Sequence, residues 1–314
     1  MNNKKWSVIV NPNAGNRGGE KDLPIIEALL SKAGIEYSLY TTQQKFHATE
    51  LASKLILDGE RNLICIGGDG TLNEIVNGIF SQSNAHPSEI LLALIPVGMG
   101  NDWCRTHKIP FEYEKAIDLI SHNSIMLHDI GKVSYTEGQE RKSRYFINVA
   151  GMGFDAEVAA SVNQLKQTQP GAGKWVYLKQ LFLCLLKSRA KNIKVTFDHN
   201  IVETKILSLS TGICKYNGGG MQQLPMADPA DGLFDLTIIR KVSILKVLMN
   251  VHKLFNGRLN TIREVSMHTA RNIRVECNED LMLECDGENI GQQPYSFEII
   301  PQAVRVITGI THKN

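Results

Sequence analysis

The run ICIGGDGTLNEIVNGI, Ile64 to Ile79, constrains the fold more than any other stretch. An apolar strand pattern ends in three glycines set around Asp69, and a helical pattern begins at once. That strand, loop and helix form one step of a parallel α/β sheet, and the step recurs on both sides of it. Trp6 to Val10, Ile35 to Tyr40, Asn62 to Ile66 and Ile90 to Val97 read as strands. Leu23 to Ala33, Phe46 to Leu57 and Thr71 to Phe80 carry the three-and-four apolar spacing of helices. Ligands of such sheets bind at the carboxyl ends of the strands.

After Asp129 the texture changes. KVSYT, RYFINVA, NIKVTFD, KILSLST, LFDLTII, NIRVEC, LMLECDG and SFEII are short β-rich runs parted by turn residues. They predict a mainly antiparallel β domain, interrupted by helical islands at Lys174 to Ser188 and Ile244 to Phe255.

Loops of one kind end three strands of the first domain: Asn11-Pro12-Asn13-Ala14-Gly15, Gly67 to Glu74, and Pro96 to Asp102. Glycine lets the backbone approach a ligand, and a helix starting just after the loop offers unpaired N–H groups to an anion. Gly-Gly-Asp-Gly alone could be a tight turn with Asp69 as a helix cap. Three such loops on one sheet edge argue for phosphate binding. Neither the P-loop pattern nor G-x-G-x-x-G is present, so backbone amides would carry the phosphates. A carboxylate beside phosphates repels them unless a divalent cation stands between, which gives Asp69 a purpose. Phosphoryl transfer also needs a base near the acceptor hydroxyl. Asp286, Gly287 and Glu288, at the end of a β run, supply candidates, although Asp-Gly is equally a common hairpin turn.

A formal net charge of +2 leaves no overall field for nucleic acid. The six cysteines form no C-x-x-C pair and read as buried thiols. The N-terminal MNNKKWSVIV lacks an apolar leader, and the apolar window Trp175 to Leu186 is too short to span a bilayer, so a cytoplasmic protein is expected. The basic, apolar segment Lys174 to Lys194 reads as a helix covering the β domain, with an interfacial membrane helix as the alternative. His47, His107 and His128 read as surface or capping residues, and no histidine spacing suggests zinc.

The order NPNAG, GGDGTLNEIVNG, PVGMGND, DIG, NVAGMGFDAEV, GGGMQQLPMADPADGLFD and DGE resembles the diacylglycerol kinase catalytic-domain family, in particular its soluble bacterial YegS-like lipid kinases. The resemblance runs from Asn11 to Glu288. It implies a doubly wound α/β nucleotide-binding domain (residues 1–129, with a last strand at about 302–314 returning to it), a β-sandwich domain (130–301), and a cleft between them. It also implies an ATP- and Mg²⁺-dependent lipid kinase acting on diacylglycerol, with transient membrane contact and a homodimeric assembly. Asn11, Pro12, Asn13, Ala14, Gly15, Thr41, Thr42, Gly67, Gly68, Asp69, Gly70, Thr71, Asn73, Glu74, Gly98, Met99, Gly100 and Asn101 would line the nucleotide. Glu288 would be the general base, with Asp69 as its catalytic partner. Asp69, Asp102 and Asp129 would serve Mg²⁺, and Asp231 with Asp228 and Leu233 a second, structural metal. Met99 stands where the family usually has threonine, which removes a hydroxyl from the third loop. An NAD kinase-like enzyme and a catalytically silent nucleotide sensor are the alternatives.

Overall fold

The computed structural model describes residues 5–122, 124–168 and 174–310. The chain divides into two units: one runs up to Ile130 and resumes at Ile300, and the other is Gly131–Ile299.

The first unit is α/β. Its elements are β1 (Trp6–Val10), α1 (Ala14–Lys21), α2 (Leu23–Lys32), β2 (Tyr37–Thr41), α3 (His47–Leu57), β3 (Asn62–Gly67), α4 (Asp69–Ser81), β4 (Leu91–Pro96), α5 (Asp102–His107) and α6 (Tyr113–His122). Strands lie in the order β2-β1-β3-β4, all parallel. Beside β4, Arg305 and Val306 near the chain end pair in parallel with Leu91 and Leu92. β1 and β4 are buried along their whole length, as strands covered on both faces must be, and this is why they read as unbroken apolar runs. Helix α4 buries Leu72, Ile75, Val76 and Ile79, the i, i+3, i+4, i+7 stripe visible in the sequence.

Three helices depart from the sequence reading. α5 is too short to show a period. α6 turns only Ala116, Ile117 and Ile120 inward between charged residues. α1 contains a left-handed stretch, with φ of 59° at Gly15, 55° at Asn16 and 66° at Arg17, so its first turn is a loop in all but name.

The second unit is a β-sandwich. Its elements are β5 (Ile125–Glu137, whose first residues up to Ile130 belong to the first unit), β6 (Glu140–Phe146), β7 (Val149–Gly153), α7 (Phe154–Thr168), α8 (Lys174–Lys187), β8 (Lys191–Phe197), β9 (Asn200–Gly212), β10 (Phe234–Arg240), α9 (Ile244–Asn250), α10 (His252–Phe255), β11 (Val265–Ala270), β12 (Asn272–Cys277), β13 (Leu283–Cys285), β14 (Glu288–Ile290) and β15 (Gln292–Ile307, whose residues from Ile300 belong to the first unit). The order is β14-β13-β7-β9-β8-β12-β15, and β10 bridges β9 and β11. These pairings are antiparallel. β8 alternates inward Ile193, Val195 and Phe197 with outward polar residues. Phe146, Phe234 and Phe297 centre the core, the first two stacked at 5.8 Å and the third edge-on to Phe146 at 6.2 Å. Helix α7 is absent from the sequence reading, because FDAEVAASVNQLKQT is rich in small and polar residues and shows no clean stripe. The helical island expected at Lys174 to Ser188 is α8, which ends at Lys187, so the basic tail of the Lys174 to Lys194 segment lies in β8 rather than in a helix. All six cysteines are free. No helix among the described residues is long and apolar enough to cross a membrane.

Candidate active site

The carboxyl ends of β1, β3 and β4 bring the three glycine loops of the first unit together. A Cβ on Gly15 would sit 1.9 Å from the Val97 carbonyl, so the first loop touches the third only because that residue is glycine with positive φ. Val97 and Gly98 donate their N–H groups to the Gly67 carbonyl at 2.8 and 3.1 Å, which ties the third loop to the second. The Asn11 side chain donates to Thr71 Oγ1 at 2.9 Å and accepts from the Asn13 N–H at 3.0 Å. The first loop is thereby fixed to the start of α4. Pro12 and Ala14 lie half-buried beside it. Thr41 pairs with Val10, and the Thr42 N–H donates to the Val10 carbonyl at 2.9 Å. Both threonines therefore flank the end of β1.

Asp69 is the joint of this arrangement. Its carboxylate accepts the N–H groups of Asp102 and Trp103, each at 3.1 Å. It is a cap, but of α5 rather than of the helix it begins. Burial pushes its carboxyl above the usual range, against the two amides that pull it down. On the open side of Gly100, Asp69 Oδ2 and Asp102 Oδ2 lie 3.3 and 3.7 Å from where a Cβ would stand. Asn101, left-handed at φ 49°, donates from Nδ2 to the Gly98 carbonyl at 2.7 Å. Its Oδ1 is buried with no hydrogen-bond partner among the described residues. Two carboxylates and an orphaned amide oxygen are hard donors of the kind a small divalent cation takes. Asp129 is fully buried and accepts the Gln302 N–H at 2.6 Å. Asp69, Asp102 and Asp129 do not gather oxygens within 4.8 Å of one another.

Other expected nucleotide residues have structural duties. Glu74 accepts the Ala48 N–H at 3.2 Å, holding the start of α3. Asn73 is buried and accepts from Asn77 at 3.2 Å. Gly70 is exposed, Gly68 and Gly98 are half-buried and pack so closely that a Cβ on Gly98 would lie 2.7 Å from Gly68 Cα, and Met99 is 59% exposed.

The histidine expectation needs correction. His47 accepts the Gln43 N–H of the preceding loop at 3.0 Å and caps no helix. His107 and His128 are fully buried, with ring centroids 5.0 Å apart and Trp103 packed on both. Apolar neighbours on α5 and β5 pull them inside. Burial holds His128 down to about 4 and His107 well below its ordinary value.

In the second unit Asp286 and Gly287 form a two-residue hairpin, both at positive φ, and Cys285 pairs with Glu288 across it. The Asp286 carboxylate accepts the N–H groups of Ile147, Asn148 and Val149 at 2.9, 3.1 and 3.1 Å. Asp286 is therefore a clamp, and Glu288, half-buried at the start of β14, is the acid of the motif that stands at the turn's exit. In the acidic loop, Asp228 accepts the Ala230 N–H at 3.1 Å and Asp231 that of Leu233 at 2.9 Å. Asp235, which the sequence reading passed over, is pushed up to about 6 by burial and by Asp231.

Comparison with known proteins matches residues 5–133 to the diacylglycerol kinase catalytic domain and residues 148–308 to the YegS C-terminal NAD kinase beta sandwich-like domain. A diacylglycerol kinase of Staphylococcus saprophyticus is 31% identical over 312 residues, covering 99% of this chain and 97% of that one. One of Staphylococcus carnosus is 30% identical over 311 residues, covering 99% and 97%. A crystal structure of a diacylglycerol kinase from Bacillus anthracis superposes with a TM-score of 0.72 at 20% identity, over 98% of each chain. Yeast NADH kinase complexed with NADH reaches 0.52 at 10% identity, over 99% of this chain and 85% of that one. These two likenesses speak to the fold.

Proposed function

This chain belongs to the diacylglycerol kinase catalytic-domain family and is a kinase, and on that premise we propose that it transfers the γ-phosphate of ATP, with Mg²⁺, to the hydroxyl of a diacylglycerol-like lipid. One observation carries the reading: Asp69 ties the second loop to the third while Gly15 and Asn11 tie in the first. One rigid ring of loop backbone results, suited to an oligophosphate. The amides at the start of α4 and along the Gly98–Asn101 loop would bind its oxygens. Asp69, Asp102 and Asn101 Oδ1 would hold the cation, with Asp129 keeping the neighbouring strand in place. When bound, Mg²⁺ neutralises charge that the carboxylates and phosphates would otherwise set against each other. Glu288 would take the proton from the lipid hydroxyl, while Asp286 fixes the turn that presents it. Asp231, Asp228 and the Leu233 carbonyl would serve a second cation, which offsets the burial and, after it, the neighbouring carboxylates that raise Asp231 and Asp235. Exposed Leu245, Leu248 and Met249 on α9, with Phe255 beyond it, support a peripheral bilayer contact where such a lipid resides.

The test is phosphate transfer from labelled ATP to mixed-micelle lipids, with Glu288→Ala and Asp69→Asn alongside. Glu288→Ala should fold normally and lose about 10²–10⁴-fold in turnover. Asp69→Asn should lower the rate and shift the Mg²⁺ titration together. Near-normal turnover in Glu288→Ala removes it as the base, and an unchanged metal titration removes Asp69. Label on NAD⁺ rather than lipid would move the chain to soluble acceptors. ATP binding with no label on any acceptor would leave a sensor.

A further inference from the structure

We propose that helix α7 positions Glu288, through the side-chain amides of Asn163 and Asn289 that hold the backbone on either side of it; the catalytic half rests on the reading of Glu288 as the base. The need for such a hold comes from the strand that carries Glu288. β14 is three residues long and stands at the end of the strand order, beside β13. A short edge strand has few ladder bonds to fix it. Gly287, just before Glu288, has φ of 86° and no side chain to limit rotation of the peptide plane that leads into Glu288. A general base must stand within hydrogen-bond reach of its proton, and a shift of about 1 Å can cost on the order of 10²-fold in rate.

Side-chain hydrogen bonds supply the hold. Asn163 Nδ2, on α7, donates to the Gly287 carbonyl at 2.8 Å. That carbonyl shares one rigid peptide plane with the Glu288 N–H, so Asn163 sets the plane from which Glu288 springs. Beyond Glu288, Asn289 Nδ2 donates back to the Ala156 carbonyl of α7 at 3.1 Å. Ala156 and Asn163 are i and i+7, about two turns apart on one helix face, so α7 grips the strand at two points. The Gly287 N–H is taken by Glu284 Oε2 at 2.9 Å, and Glu284 Oε1 accepts from Asn217 Nδ2 at 3.2 Å. Both polar groups of the Gly287 backbone are thereby engaged.

The helix has a fixed seat from which to do this. Asp155 in its first turn accepts from Ser210 Oγ of β9 at 2.7 Å, and Ala156 is fully buried. The segment shows no clean apolar stripe because Asp155 and Asn163 are committed to these bonds. Side chains alternate along a strand. Asn289 stands opposite Glu284 and faces α7, whereas Glu288 stands opposite Cys285, a residue of the core. α7 therefore acts on the strand backbone from behind. Asn163 and Asn289 are positioning residues.

The experiment measures phosphate transfer from ATP to a short-chain diacylglycerol in mixed micelles, with amide exchange at residues 285–290 followed alongside. The full chain is compared as wild type, Asn163→Ala, Asn163→Gln, Asn289→Ala, Glu288→Ala, and Asn163→Ala combined with Glu288→Ala. Asn163 is half-buried and alanine is the best helix former, so Asn163→Ala leaves α7 intact. It should lower kcat about 10–10²-fold at unchanged KM for ATP and speed exchange at 285–290. Asn289→Ala should do the same, and Asn163→Gln, which keeps the donor, should recover part of the loss. In the Glu288→Ala background Asn163→Ala should lower kcat no further, since a residue acting through the base loses its effect with it. Wild-type exchange at 285–290 in both alanine variants overturns the hold. An equal loss from Asn163→Ala with and without Glu288 overturns the positioning role. Wild-type turnover in Glu288→Ala overturns the base assignment and the positioning role together, and faster exchange in Asn163→Ala then still upholds the hold.

Discussion

The two acids of the DGE motif look alike in sequence and differ in every physical respect. Asp286 accepts three backbone amides and is spent on structure. Removing it would orphan donors at a cost of roughly 1–3 kcal/mol each. Asp286→Ala should therefore lower stability more than Glu288→Ala does; urea midpoints separate the two. Buried titratable groups give a second residue-level prediction, with opposite signs. His128 Nε2 accepts from Trp103 Nε1–H at 3.3 Å, and its Nδ1 pairs with the Asp129 carbonyl, so one neutral tautomer is fixed. The unfolded chain takes up that proton near 6.5 and the folded chain only near 4, so stability falls as pH drops through this window. Glu284 does the reverse: its contribution is fully present below 4.5 and is lost as pH rises to about 8. Unfolding across pH should show a plateau bounded by both slopes. Between pH 4.5 and 6.5 the two slopes oppose each other, so Glu284→Gln should flatten the alkaline decline and also uncover the His128 slope up to about 6.5; an unaltered alkaline slope would exclude Glu284 as its source.

Among the elements, α5 and α9 matter beyond their length. α5 is six residues long, too short to hold itself, and Asp69 caps it from another strand end. The third loop and α5 therefore stand or fall with that carboxylate. α9 buries none of its seven residues and turns Leu245 and Met249 outward at 67% and 59% exposure. Exposed Lys241 precedes it and exposed Arg258 follows α10. An apolar strip with basic ends suits an anionic bilayer surface, where apolar burial and charge attraction add. The paired change Leu245→Glu and Met249→Glu should cut co-sedimentation with anionic vesicles. It should also slow turnover of vesicle lipid, and leave turnover of a short-chain soluble lipid intact. Equal losses on both lipids would point to a folding defect instead. The sequence offered the Lys174 to Lys194 segment for this role only as the alternative to packing on the β domain. The structure exposes Phe182 and Leu186 there but buries Leu185.

At the scale of the whole molecule, two units each carry their own core, one around Ile64, Ile66 and Ile95 and one around Phe146, Phe234 and Phe297. A non-hydrolysable ATP analogue with Mg²⁺ should slow amide exchange first at residues 11–15, 67–74 and 96–102. Protection confined to the second unit would refute the loop assignment. The family, the α/β and β-sandwich classes, and most first-unit elements were legible from motif order and apolar period. Both are local properties, written within ten or fifteen residues of chain. α5, α6 and α7 were not legible, because short or polar helices form through what they pack against. The partners of the acids lay further out of reach. Asp69 caps a helix 33 residues on, Asp286 clamps a strand 137 residues back, and Glu284 meets Asn217 across 67. By itself the sequence determined which chemistry the chain could carry: glycine loops, carboxylates and a hairpin in a recognisable order. Which carboxylate is a cap and which is a clamp came from folding alone. Those differences arise from burial and from hydrogen-bond partners brought in from distant strands, and no local pattern encodes them.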